Sequence, residues 1–188
     1  DSHAALSSAT DILAAVPSPD GMAMCFYADP PQGDASTTNV MPLSALTAKT
    51  HARALATARW RAGLADSLEI AASQCFEQSV FALTAVPMVA LLADEIALDP
   101  DPGRIHVSVS HEGVLEHVWR QSDGRAGRLQ ACCLWLGRRI AAELVRYLPT
   151  FAALTACDAQ SLARRASHVI GAIAGIGKSM MARSSSAN

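Results

Sequence analysis

The run SVFALTAVPMVALLA, from Ser79 to Ala93, restricts the folding of this chain more than any other stretch. It carries no charge, and Glu77, Asp94 and Glu95 bracket it. It falls about five residues short of a membrane span, and Pro87 interrupts it. A segment apolar on every side has to be enclosed by protein. The rest of the chain is therefore expected to wrap a buried helix pair, with Pro87 either opening the second helix or kinking the first. No transmembrane span is expected, and a peripheral membrane contact stays open.

The remaining composition supports enclosure. Of 188 residues, 51% are hydrophobic but only 5% aromatic, so Ala, Leu and Val carry the apolar content. That balance favours helices in one domain, residues 1–188. The net charge of -2 and pI near 6.3 provide no basic footprint, so no nucleic-acid partner is expected.

Along the chain, residues 4–16 read as a short helix. A connection rich in Pro, Gly, Asp and Thr follows, residues 17–42, in which MAMCFYA is either a short strand or an apolar plug. Leu43 to Leu64 reads as helix ending at Gly63. Asp66 is placed to cap the next helix, with Glu69 three residues on. After the turn LDPDPGR, Ile105, Val107 and Val109 alternate with His106, Ser108 and Ser110, the period of a half-buried strand. A turn at Glu112-Gly113 returns the chain through Val114 to Trp119. Leu129 to Leu148 then reads as a helix stopped by Pro149. Asp158 caps a last helix from Ala159 to about Ile176, and residues 178–188 form a polar tail. The expected class is α+β, mainly α: a helical domain with one β-hairpin inserted between helices.

Five cysteines, an odd number without a CxxC, make a poor disulfide framework and a poor zinc site. A reducing compartment, the cytoplasm, is expected. Cys132 and Cys133 are adjacent, and neighbours on a helix point about 100° apart. They cannot easily share one metal, and both read as core residues. AIAGIGKS, Ala172 to Ser179, loosely matches a phosphate-binding loop. Such a loop needs a strand before it, whereas the residues here read as helix, and its glycines are expected to end that helix.

With a two-residue turn, Ser110 faces Leu115, Ser108 faces His117 and His106 faces Trp119. His106, Ser108, His117 and Trp119 then share one sheet face, where two imidazoles, a hydroxyl and an indole could meet a polar ligand or a metal. The same residues also make the solvent side of an amphipathic hairpin, and alternation alone accounts for that.

The segment VPMVALLADEIALDPDPGRIHVSVSHEGVLEHVW, Val86 to Trp119, resembles the central part of ferric-siderophore reductases of the FhuF type. The matching features are Pro87, Leu91, Leu92, Ala97-Leu98-Asp99, His106, His111-Glu112, Gly113 and Trp119. The resemblance implies siderophore-bound iron handling, with a ferric siderophore as ligand and reduction as the activity if the protein is an enzyme. His106, His117 and Trp119 would contact the chelate, and Arg104 and Arg120 at the hairpin base would balance its charge. The family's reductases hold a [2Fe–2S] cluster on adjacent cysteines followed by a CxxC. The pair here lies earlier, within a helix, with no CxxC behind it. A core without that cluster is therefore expected, with no metal site and no permanently bound cofactor. A non-catalytic adaptor or scaffold subunit, binding a protein partner or a second copy of itself, is the alternative.

Overall fold

The computed structural model describes residues 2–14, 24–27, 39–120 and 124–185. Its elements, in order, are α1 (Ser2–Leu13), β1 (Cys25–Tyr27), β2 (Asn39–Pro42), a 3-10 turn (Leu43–Thr47), α2 (Lys49–Arg61), α3 (Leu68–Asp94), β3 (Ile96–Leu98), β4 (Ile105–Val109), β5 (Leu115–Arg120), β6 (Gly124–Ala126), α4 (Leu129–Thr155) and α5 (Ala159–Ser185). The class is α+β, mainly α.

The apolar run lies inside α3, one continuous helix that passes through Pro87 rather than a helix pair. Ser67, one residue after the expected cap, accepts a hydrogen bond from the Ile70 N–H at 3.2 Å. By length and composition α3 could cross a membrane, but 83% of its most apolar window is buried against the rest of the chain. It packs on α1, α2, α4, α5 and β3. Burial on all sides leaves its hydroxyls no water, and two of the three turn to the helix itself, while the Ser73 hydroxyl is buried without a partner among the described residues. Ser79 Oγ donates to the Cys75 carbonyl at 2.7 Å, and Thr84 Oγ1 to that of Val80 at 2.6 Å.

The β structure exceeds a hairpin. A four-stranded sheet runs β1-β5-β4-β2, with β1 parallel to β5 and the other pairs antiparallel. Both outer strands come from the segment 17–42 expected to be irregular, and within MAMCFYA the strand alternative holds. β3 and β6 form a separate antiparallel ribbon. One sheet face, with Phe26, Ile105, Val107, Leu115 and Val118, joins the main core.

Pro149 does not end α4, which continues to Thr155. The carbonyl that Pro149 leaves unbonded belongs to Val145, on the solvent side of the helix. Tertiary bonds on both sides of the proline hold the helical path. The Tyr147 hydroxyl donates to the Leu43 carbonyl at 3.1 Å, and Thr150 Oγ1 to that of Thr47 at 2.5 Å. Asp158 caps α5 as expected, accepting from the Ser161 N–H at 2.6 Å. α5 then runs through Gly175 and Gly177 to Ser185, so the glycines of AIAGIGKS do not end it, and much of the expected polar tail is helix. A strand-loop-helix phosphate cradle is absent from that stretch.

Burial, followed by the charge of Glu143, pushes the Tyr147 phenol far above its usual range. A folded pKa above the unfolded one means that its stabilisation is intact below about pH 10 and is lost as pH climbs towards the folded value. Tyr147→Phe is expected to cost about 1 kcal/mol at neutral pH, through the lost bond to Leu43. It should also flatten the decline of stability above about pH 10, read from urea unfolding at several alkaline pH values. An unchanged alkaline slope would assign that decline to other groups.

Candidate functional site

The hairpin presents two of the three expected cross-strand pairs, by a different route, and Ser110 does not face Leu115. His106 faces Trp119 and Ser108 faces His117. The turn, however, has three central residues. The Gly113 N–H donates to the Ser110 carbonyl at 3.0 Å, and the Ser110 N–H to that of Val114 at 2.9 Å. Val109 then faces Leu115, and the register shifts by one between Ser108 and Val109. Glu116 is the extra residue, and this bulge restores the pairing that a two-residue turn would have produced.

The outer face therefore carries His106, Ser108, His117 and Trp119 together. His106 and Trp119 stack, with ring centroids 6.1 Å apart and planes at 14°. Ser108 Oγ lies 2.8 Å from His117 Nδ1 and also accepts the His117 backbone N–H at 3.2 Å. These bonds fix the imidazole's direction. Trp119 is only 8% exposed, so it backs His106 rather than standing open.

β1 adds residues that alternation along the hairpin could not supply. Its parallel register sets Cys25 beside His117 and Tyr27 beside Trp119. The Tyr27 ring is 5.6 Å from that of His117. Partial burial raises the Tyr27 pKa, and the neighbouring Cys25 adds to the effect. A thiol, a phenol, two imidazoles and a hydroxyl thus line up across three strands, a set capable of hydrogen-bonding and stacking contacts. Cys25 and Tyr27 sit in a three-residue strand whose pairing partner is about ninety residues away, and no local signal marks them. Among the described residues, no three of His, Cys, Asp and Glu group in a way that could hold a metal ion.

The two expected arginines part company. Arg104 is exposed beside Asp101, at 3.8 Å, near the sheet's outer side. Arg120 follows Trp119 and points to the other face, where it is 4% exposed and donates to the Asp99 carbonyl. Burial lowers its pKa to about 10, against the opposing pull of Asp99 and Asp101. It ties β5 to the β3–β4 connection and is not brought to the His106–His117 face. Next to it, Arg139 binds Asp99 at 3.1 Å, and Arg146 binds the buried Glu143 at 2.8 Å.

The adjacent cysteines also separate. Cys132 is buried with Leu91, Ala97, Leu136 and Ile140, whereas Cys133 is exposed, so only one of the pair is a core residue. Cys132→Ser is expected to cost about 1–3 kcal/mol by burying a hydroxyl, and Cys133→Ser less than about 0.5 kcal/mol. Native thiol titration should find Cys25 and Cys133 fast and Cys75 and Cys132 slow. Equal rates at Cys132 and Cys133 would contradict this packing.

Two clefts flank α5. One, of about 540 Å³, is almost wholly apolar and lies between α3, α4 and α5, lined by Met88, Leu91, Ile140, Leu144 and Ile170 among others. Its one hydroxyl, on Ser167, is bonded to the Ala163 carbonyl at 2.9 Å. Val145, 62% exposed, stands at the rim of this cleft, and Leu134, 58% exposed, lies outside it on α4. The other cleft, of about 560 Å³ between α3 and α5, is lined by Glu77, Phe81, Arg164, Arg165 and His168 together with smaller apolar residues.

Comparison with protein-family models, with curated proteins and with solved structures finds no match for this chain.

Proposed function

We propose that this protein handles siderophore-bound iron in the cytoplasm, binding a ferric siderophore on the outer face of the mixed sheet. The observation that carries the reading is the convergence of the half-buried His106 and His117 with the exposed Tyr27 on one face, backed by the buried Ser108 and Trp119. The second half of the FhuF-like pattern, Ile105 to Trp119, falls on the same hairpin, and its His106 and Trp119 lie on that face. Imidazole and phenol rings offer hydrogen bonds to chelate oxygens and flat surfaces for their aromatic or amide groups. Arg104, exposed at the start of β4 and beside Asp101, is the cation the reading assigns to an anionic chelate. The reading includes no cluster of the protein's own, because its cysteines lack a four-thiolate arrangement. Any reduction of the bound iron therefore draws electrons from a separate donor.

Tyrosine and tryptophan fluorescence, or calorimetry, against ferric hydroxamate, catecholate and carboxylate siderophores is expected to show saturable binding to at least one. Tyr27→Ala and His106→Ala should each weaken it about tenfold, while Trp60→Ala on α2 leaves it unchanged. Broad visible absorption with matching iron and sulfide in anaerobically purified protein would overturn the cluster-free part of the reading. Failure of the whole panel to bind would overturn the rest.

The apolar cleft between α3, α4 and α5 supports a second reading, an adaptor or scaffold subunit that receives an apolar helix of a partner protein or of a second copy. Sedimentation of the full chain with and without Val145→Glu tests it. A defined complex that the substitution dissolves, alongside a chelate panel that fails, favours the adaptor.

A further inference from the structure

We infer that the cleft between α3 and α5 binds a small organic monoanion, a carboxylate or sulfonate on an aromatic or alkyl body. The inference stands apart from the sheet face, which lies on other elements. The cleft's volume, about 560 Å³, is in the range of small-molecule sites. Its lining is divided by chemistry. Arg164, His168, Ala172 and Ile176 recur every fourth residue of α5 and so form one ridge along the cleft. The ridge is cationic and polar at its start and apolar at its end. Across from it, α3 contributes Glu77 and, one turn on, the buried ring of Phe81. Phe81 is braced edge-on by Phe26, with centroids 5.7 Å apart, so the apolar wall is rigid.

The charges do not cancel. Glu77 is committed to Arg165 at 2.9 Å. Arg164 forms no close ion pair among the described residues; its charge helps hold the Asp158 carboxylate below the usual range, but that carboxylate is engaged in capping the Ser161 N–H. Two guanidiniums against one carboxylate leave one positive charge at the polar end, before His168 is counted. A cation beside an apolar wall selects a ligand with both an anionic head and an apolar body. Free phosphate would leave the Phe81 wall unused, and a neutral aromatic would leave Arg164 unmatched.

Calorimetric titration of the full chain with naphthoate, naphthamide and inorganic phosphate tests this. Saturable binding of naphthoate is expected, with naphthamide and phosphate each about tenfold weaker or more. Arg164→Ala should weaken naphthoate about tenfold and Arg164→Glu should abolish binding. Both substitutions are on an exposed position, and circular dichroism checks that they fold. Ala141→Trp, which fills the neighbouring apolar cleft, and Tyr27→Ala, on the sheet face, should leave naphthoate binding unchanged. No saturable binding, equal affinity for naphthamide or phosphate, indifference to both Arg164 variants, or loss of binding in Ala141→Trp overturns the inference.

Discussion

Gly113→Ala is expected to destabilise the protein by about 3 kcal/mol or more. Gly113 has a φ of 77°, in the left-handed region where a side chain is strained. It also sits where the hairpin tip meets α2. A Cβ there would lie 2.4 Å from the Leu55 carbonyl oxygen and 2.8 Å from the Arg59 nitrogen. Both are helix backbone atoms and cannot rotate away, so the hairpin has to lift or α2 has to shift. Ser110 holds the same turn from inside, its Oγ accepting the Val114 N–H at 3.2 Å. Gly63→Ala is the control. Gly63 has a φ of 75°, but a methyl group added there would meet no atom within 4 Å. That substitution should cost only the conformational strain, about 1 kcal/mol. Urea unfolding of both variants checks the difference. Equal losses would mean that the hairpin tip is not docked on α2, and the face carrying His106 and His117 would lose its support.

Phe76→Ala is expected to cost about 3–5 kcal/mol, with thermal unfolding as the readout. Phe76 is fully buried in α3, and its ring lies 5.3 Å from that of Phe151 on α4. The contact joins the central helix to the part of α4 that lies beyond Pro149. Removing the ring opens a cavity that helices anchored elsewhere cannot close. Phe151→Ala should be similarly costly, and the double substitution should fall short of the sum by about 0.5–1.5 kcal/mol if the rings interact directly. Strict additivity would place their effects in separate parts of the core.

How much of the candidate site could be read in advance differs residue by residue. The shared face of His106, Ser108, His117 and Trp119 follows from alternation, which needs only local sequence. The pairing came through although the turn has an additional central residue, because the Glu116 bulge compensates for it. Alternation also places Arg120 opposite Trp119, in the core, so its assignment to the chelate overlooked a signal that was present. Cys25 and Tyr27 had no such signal. Three residues hold less than two periods of a strand pattern, and their pairing with β5 depends on chain far away in sequence. Arg164 and Arg165 lie on the exposed side of α5, and only the approach of Glu77 and Phe81 from α3 makes that side one wall of a cleft.

What the sequence by itself determined is therefore what short-range physics controls. The uncharged run from Ser79 to Ala93 had to be buried, Asp158 had to cap a helix, and the period of residues 105–109 had to make a strand with one apolar side. Tertiary structure decided the rest. Pro149 costs one backbone hydrogen bond, but Tyr147 and Thr150 anchor the helix on either side, so α4 continues. Cys132 and Cys133 are chemically identical neighbours, and the packing of α3 and β3 on α4 makes one a core residue and leaves the other at the surface. The outer strands β1 and β2 are too short to form on their own and exist because β5 and β4 offer them unpaired backbone. Local sequence encodes which side of an element is apolar, whereas the partner that covers that side is chosen by the packing of the whole chain.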